Sequence, residues 1–318
     1  MRITGFLFCM VLWCHYTIGQ SDFKAYNQSI DGTDVTFKMV PIEGGVFTVG
    51  ASTKDKNAEA DELPRKQVEV ESFWMGAFEV TRAEFFLFRD ATRDLLPDGK
   101  MNANVISRPS SPYEDPSKGL GDKDKEPAVG MTQYGALSYC RWLYQRTGVF
   151  YRLPTECEWE YAAGKGIDKP YFFGKKKSKL KEYAWYSKNS NGEFHEVGLK
   201  APNPNGLYDI YGNVAEWCLD QYYADFYATI KEHEKGPWGM PNALYPRSVR
   251  GGSFKDDALG CRTSNRISST DDWKARDPQI PKSFWWNTDS EFVGFRLVRP
   301  LKQPTEEEAE EFFSSFLE

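Results

Sequence analysis

Past residue 20 the chain carries four thiols, Cys140, Cys157, Cys218 and Cys261, and two imidazoles, His195 and His233. A thiolate is a nucleophile and a ligand for soft metal ions. No two of these cysteines form a Cys-x-x-Cys unit, however, and four cysteines admit three complete disulfide pairings that spacing does not decide. Both histidines would have to converge with a carboxylate to make the facial site of an iron oxygenase. Neither has a neighbour arranged to perturb it, so both read as solvated or core side chains. Carboxylates gather at Thr155-Glu156-Cys157-Glu158-Trp159-Glu160, where capping and ion pairing explain them more cheaply than acid–base catalysis. Lys175, Lys176, Lys177, Lys179 and Lys181 form a basic cluster, read as a solvated loop with anion or acidic-partner binding as its functional alternative. The segment Asn203 to Trp217 mixes turn formers, carboxylate and amide oxygens and bulky rings. Downstream, Arg250-Gly251-Gly252-Ser253-Phe254 offers a glycine pair where the backbone can turn sharply or be approached closely.

The elements that must hold these residues are short. Phe37 to Gly50 alternates apolar and polar residues around Gly44-Gly45, which predicts a hairpin. Charged residues 51–66, with Pro64, predict an exposed loop, and Gln67 to Phe73 a further strand. Thr81-Arg82-Ala83-Glu84 is a capping box ahead of Phe85-Phe86-Leu87-Phe88 and predicts a helix start. Leu137, Cys140, Leu143 and Tyr144 recur at helical spacing, which sets Cys140 on a core face of a helix that Gly148 ends. Thr155 caps a short helix reaching Ala162-Ala163-Gly164. Residues 90–126 read as a long loop, Ala184 to Ser187 as an aromatic strand, and Gln221 to Tyr227 as an aromatic run that fills the core or lines a cleft. Thr305 to Glu311 begins a short terminal helix.

At 318 residues, with 10 Trp, 17 Tyr and 22 Phe, the composition implies one loop-rich domain pinned by aromatic anchors. A net charge of -6 leaves no broad cationic face, which excludes nucleic acid as a partner. Arg2, the apolar run Ile3 to Trp13 and the small or polar residues through Ser21 predict a secretory signal over residues 1–20. That run is too short for a membrane span, and no later segment supplies one. Trp13 fits poorly before a lipid-modified Cys14. The chain is therefore expected to be exported, periplasmic or secreted, rather than anchored as a lipoprotein. The expected organisation is signal peptide 1–20, N-terminal tether or edge segment 21–36, a single domain 37–301 and an acidic tail 302–318.

Six landmarks, in order, carry a resemblance: Pro41-Ile42-Glu43-Gly44-Gly45-Val46-Phe47, Glu79-Val80-Thr81, Arg152-Leu153-Pro154-Thr155-Glu156, Gly206 to Trp217, Arg250 to Phe254 and Gly294-Phe295-Arg296. Through them the chain resembles the formylglycine-generating enzyme (sulfatase-modifying factor) family over about residues 37 to 300. The resemblance implies an α+β fold, a C-type-lectin-like variant with much irregular structure. It also implies chemistry, because family enzymes oxidise a sulfatase cysteine to formylglycine with molecular oxygen and a copper(I) ion held by two cysteines. Those two positions, counted from Ser253 of the Gly-Gly-Ser, are Asp256 and Cys261 here. A carboxylate is a hard ligand and does not replace a cuprous thiolate. The family tryptophan that precedes Glu-Trp is Ala215. Cys261 is thus a catalytic candidate, with Ser253, only if the chain is active; an inert buried thiol or a disulfide partner of Cys218 is the plainer reading.

The resemblance further implies calcium, held by Asp209, the carbonyls of Gly212 and Val214, and Glu216, hard oxygens that suit the ion. A turn whose carboxylates merely bond the backbone is the alternative. Ligands for the family's other calcium site find no match around Trp185 and Tyr186. The expected function is that of an exported pseudoenzyme, a non-oxidase that binds a protein or peptide, or a glycan, or serves as an assembly component, without copper. Its groove would be lined by Ser253, Asp256, Cys261, Arg262, Arg266, Trp285 and Trp286. The alternative is a formylglycine-generating oxidase acting on a sulfatase cysteine.

Overall fold

The computed structural model describes residues 23–90, 92, 107–166 and 168–317. The expected signal peptide, with Cys9 and Cys14, and part of the 90–126 loop lie outside the described residues. The first half of the chain contributes strands β1 (Tyr26–Ser29), β2 (Thr36–Ile42), β3 (Gly45–Val49), β4 (Lys66–Val70) and β5 (Phe73–Gly76), then helices α1 (Arg82–Arg89), α2 (Gln133–Thr147) and α3 (Glu156–Gly164). The second half adds β6 (Ala215–Gln221), the one-turn helix α4 (Phe226–Thr229), β7 (Glu234–Lys235), β8 (Arg247–Arg250), β9 (Arg266–Ser268), β10 (Val293–Gly294), β11 (Val298–Pro300) and helix α5 (Glu306–Leu317). The strands form three small sheets, ordered β1-β2-β5-β11, β10-β6-β8-β9 and β3-β4-β7. Pairing is antiparallel except for β10 on β6 and β7 on β4. The expected α+β class is what the chain adopts.

Several local expectations change. The hairpin expected over Phe37 to Gly50 does not form, because β2 pairs with β1 and β5 while β3 pairs with β4 in another sheet. Gly44 explains the change of sheet: a Cβ there would stand 2.5 Å from the Val70 carbonyl oxygen and 2.6 Å from Ser72 N. The β2–β3 and β4–β5 connections therefore cross side by side, locked by the Gly44 N–H donating to Ser72 Oγ at 2.9 Å. Within the 21–36 segment, Tyr26–Ser29 is an edge strand rather than a tether, since β1 adds to β2 and Tyr26 packs edge-on against Trp74. Ala184 to Ser187 is not a strand; Trp185 makes only an isolated bridge to Gly212. The acidic tail is a core element: Thr305 caps α5, whose Ala309 and Phe313 are fully buried, with Phe313 against Phe150 and Tyr144.

The helix caps form as the sequence implies. Thr81, Thr132 and Thr155 each accept a backbone N–H of the first turn, with full capping boxes at Glu84 and Glu158. Two large apolar clusters result, beside a small one of Val129, Phe194, Val214 and Phe254. One gathers α1, α2, α5 and the rings of Trp217, Trp286 and Phe295; the other gathers β3, β4 and α3 with Cys157, Cys218 and Cys261. The aromatic run 221–227 mostly faces inward, Phe226 and Tyr227 being buried. All four described thiols are free and buried, so of the two plain readings of Cys261 the buried thiol holds and the pairing with Cys218 does not form.

Candidate functional site

Strand β8 delivers Arg250 into the interior, fully buried, where a lone guanidinium would be strongly destabilising. Helix α3 supplies what it needs. Arg250 donates to Glu156 Oε2 at 3.1 Å and to Glu160 Oε2 at 2.5 Å, and also to the Thr263 carbonyl at 2.8 Å. Arg266, from β9, grips Glu156 through two bonds of 2.7 and 2.8 Å. Burial alone would raise the Glu156 carboxyl; the two guanidiniums outweigh it and hold the group at about 2. The acids of the Thr155 segment are thus structural anchors, which leaves no free general base among them.

After Arg250 the chain turns through Gly251 (φ +97°) and Gly252 (φ +69°). A Cβ on Gly252 would meet the Gly260 carbonyl oxygen at 2.7 Å and Cys261 Sγ at 3.0 Å, so only glycine lets the turn close on Cys261. Ser253, fully buried, then donates both its N–H (2.8 Å) and its Oγ–H (2.6 Å) to Asp256 Oδ2. The carboxylate is folded back onto its own turn as a clasp. Beneath it Cys261 is fully buried, and burial, with the Asp256 and Asp257 carboxylates adding to it, pushes the thiol well above its ordinary range.

The seven residues expected to line one groove do not come together. Ser253, Asp256 and Cys261 share the turn. Arg262 is buried and clamps Glu62 bidentately at 2.7 and 2.5 Å, with Ser264 adding a bond to the same carboxylate. Arg266 is spent on Glu156. Trp285 and Trp286 belong with the other apolar cluster: Trp285 lies edge-on to Tyr134 at 4.9 Å, and Trp286 packs on Phe85 and donates Nε1–H to the Ser110 carbonyl. Buried carboxylates drew the arginines inward, and the α1–α2 rings drew the tryptophans away.

The expected calcium ligands surround a second ionic group. Glu216 accepts from Arg296 at both oxygens (2.6 and 2.8 Å) and from Trp159 Nε1 at 2.8 Å. Asp209, at φ +52°, accepts the Gly198 N–H at 2.6 Å through Oδ2, while its buried Oδ1 has no partner. Burial pushes the Asp209 carboxyl up to about 6, against the pull of that N–H and of Arg296. Glu79, which the sequence reading had placed only as a landmark, completes the group. It accepts from Asn213 Nδ2 and Val214 N at 2.8 and 3.0 Å, and burial with Asp209 and Glu216 nearby pushes it well above the carboxylate range. Three buried carboxylates around Arg296 leave negative charge that protons or a cation must offset. Asp209 Oδ1 is an oxygen of the kind calcium takes, whereas both Glu216 oxygens already accept from Arg296 or Trp159. Among the described residues no three His, Cys, Asp or Glu side chains are grouped so that they could hold a metal ion. Glu79 and Arg296 were legible only as landmarks; their roles depend on being buried together.

Comparison with known proteins agrees with this architecture. The chain is 33% identical over 234 residues, 72% of its length, to the serine/threonine-protein kinase pkn1 of Chlamydia pneumoniae, and it spans only about a third (35%) of that protein. It is 30% identical over 281 residues to the formylglycine-generating enzyme of Bos taurus, covering 75% of this chain and 72% of that one. It is 29% identical over 230 residues to the inactive C-alpha-formylglycine-generating enzyme 2 of Bos taurus, covering 61% of this chain and 74% of that one. The sulfatase-modifying factor enzyme 1-like domain matches residues 28–301, and the chain belongs to that family.

Proposed function

We propose that this chain is an exported, non-oxidase member of the family that works by binding a protein or peptide, with calcium as a structural ion. The observation that carries the reading is the Ser253–Asp256 clasp over Cys261. A cuprous centre of the family kind needs two thiolates. Here one position is a carboxylate committed to Ser253, and the other is a buried thiol held protonated, so the donor set does not fit copper(I) and no oxidation step is derived through it. The similarity to a relative named as inactive supports this reading. Calcium would be held by Asp209 Oδ1 and Glu216 with the Gly212 and Val214 carbonyls, and would supply charge neutralisation and rigidity rather than chemistry. Export rests on the Arg2 to Ser21 pattern.

The test incubates the full chain with a cysteine-containing sulfatase peptide, copper and oxygen, and weighs the peptide. The expected result is an unchanged peptide mass. An aldehyde product that vanishes in Cys261→Ser would restore the oxidase reading.

A further inference from the structure

A cleft of about 330 Å³ opens beside the Cys261 segment, with Thr263 and Ser264 at its floor. Three loops wall it: residues 50–57 after β3, residues 166 and 168–170 after α3, and the start of the basic cluster. Five exposed lysines line it, Lys54, Lys56, Lys169, Lys175 and Lys177. Three acids also line it, each with a guanidinium from outside the lining nearby, although Arg262 is held more closely by Glu62 and Arg250 also serves Glu156. Arg262 lies 3.9 Å from Asp55, Arg250 2.5 Å from Glu160, and Arg65 3.2 Å from Asp168. Among the described residues none of the five lysines has a carboxylate within 4.0 Å in an ion pair. Lys54 and Lys175 act electrostatically on Asp168, but the five lysines outnumber the three acids of the lining, so the cleft carries a net positive charge although the chain as a whole is acidic at -6.

The floor hydroxyls are already committed. Thr263 Oγ1 donates to the Pro170 carbonyl and Ser264 Oγ to Glu62. No aromatic ring lines the cleft, so it offers neither a face for a sugar ring nor a platform for a nucleobase. The donors are lysines, compact point charges with three hydrogens each, rather than the planar forks that pair with a carboxylate edge-on. Several such groups converging from separate loops suit an anion that presents oxygens in all directions.

We propose that this cleft binds a tetrahedral oxyanion, a phosphate or sulfate group, either free or carried as an ester. The site is separate from the Ser253–Asp256 clasp and stands whether or not the chain oxidises anything.

The experiment titrates the full chain with inorganic phosphate, pyrophosphate and sulfate by calorimetry, in buffer matched in ionic strength with chloride. A phosphoserine peptide and its unphosphorylated twin form a second arm. Saturable binding of pyrophosphate or phosphate is expected, weakened at least tenfold in the combined variant Lys54→Gln, Lys169→Gln and Lys175→Gln. These side chains are exposed, so the variant should melt like the wild type without ligand. The exposed Lys188→Gln, away from the cleft lining, should bind as the wild type does. Tighter binding of the phosphopeptide than of phosphate assigns the ester form, and equal binding assigns the free anion. Absence of saturable binding by every one of these anions, or equal affinity in the triple-lysine variant, overturns the proposal.

Discussion

Replacing Asp256 separates a clasp from a lost metal position. In the structure Ser253 is fully buried and gives two donors, at 2.8 and 2.6 Å, to one carboxylate oxygen. Hydrogen bonds to a charged acceptor contribute about 1.5–3 kcal/mol each, and a buried donor left unpaired costs about as much again as an ordinary bond returns. Because both bonds share one oxygen and Asp256 is only half-buried, the two are less than additive. Asp256→Ala should therefore destabilise by roughly 2–4 kcal/mol in urea unfolding, and Asp256→Asn, which keeps an oxygen acceptor, by about 1 kcal/mol. Asp256→Cys places a thiol where the resemblance implies one but exchanges a strong acceptor for a weak one, so it should lose stability nearly as the alanine does. It should gain no copper-dependent aldehyde formation while Cys261 stays buried under the turn. A cost below about 1 kcal/mol for the alanine, together with oxidase activity in the cysteine variant, would refute the clasp and show an open site that merely lacks a ligand.

The α1 capping box gives a pH test. Burial holds the Glu84 carboxyl at about 7 against an ordinary 4.5, although Thr81 donates to it from both N and Oγ. The folded state thus binds a proton that the unfolded state releases between those values. Stability is fully present below pH 4.5 and falls as pH rises through about 7, by roughly 3 kcal/mol at 1.36 kcal/mol per unit. Denaturation across pH 4–8 should show that decline in the wild type and a flatter profile in Glu84→Gln; parallel profiles would sink the assignment. For calcium, the melting midpoint should be higher with the ion than with chelator, an effect of about 2.7 kcal/mol when calcium is a hundredfold above its dissociation constant. Asp209→Ala should erase the difference, and a wild-type midpoint indifferent to calcium would remove the ion from this site.

What the sequence displayed and what it concealed divide along one physical line. Local rules were legible where the deciding partners lie within a few residues: Thr81 with Glu84, Thr155 with Glu158, and Gly148 ending α2 in the left-handed region. The same locality made Arg250 to Phe254 recognisable and set Asp256 where the resemblance implies a thiolate. The groove could not be read that way. Arg262 finds Glu62 and Arg266 finds Glu156 across 200 and 110 residues, and no spacing rule reaches so far. An arginine near a cysteine looks like a site residue until its carboxylate partner is known, because burial makes pairing compulsory for a guanidinium. The hairpin failed for a related reason: Gly44 was read as a tight turn, whereas its missing Cβ admits the Val70–Ser72 backbone from a distant strand connection. The lysines of the cleft present the reverse case. Only Lys175 and Lys177 announced themselves as a cluster, and Lys54, Lys56 and Lys169 join them through loop placement alone. Buried arginines therefore had to be subtracted from the functional surface, and exposed lysines added to it, for the same reason: a charge that the fold has already neutralised is structure, and one that it leaves unpaired is available to a ligand.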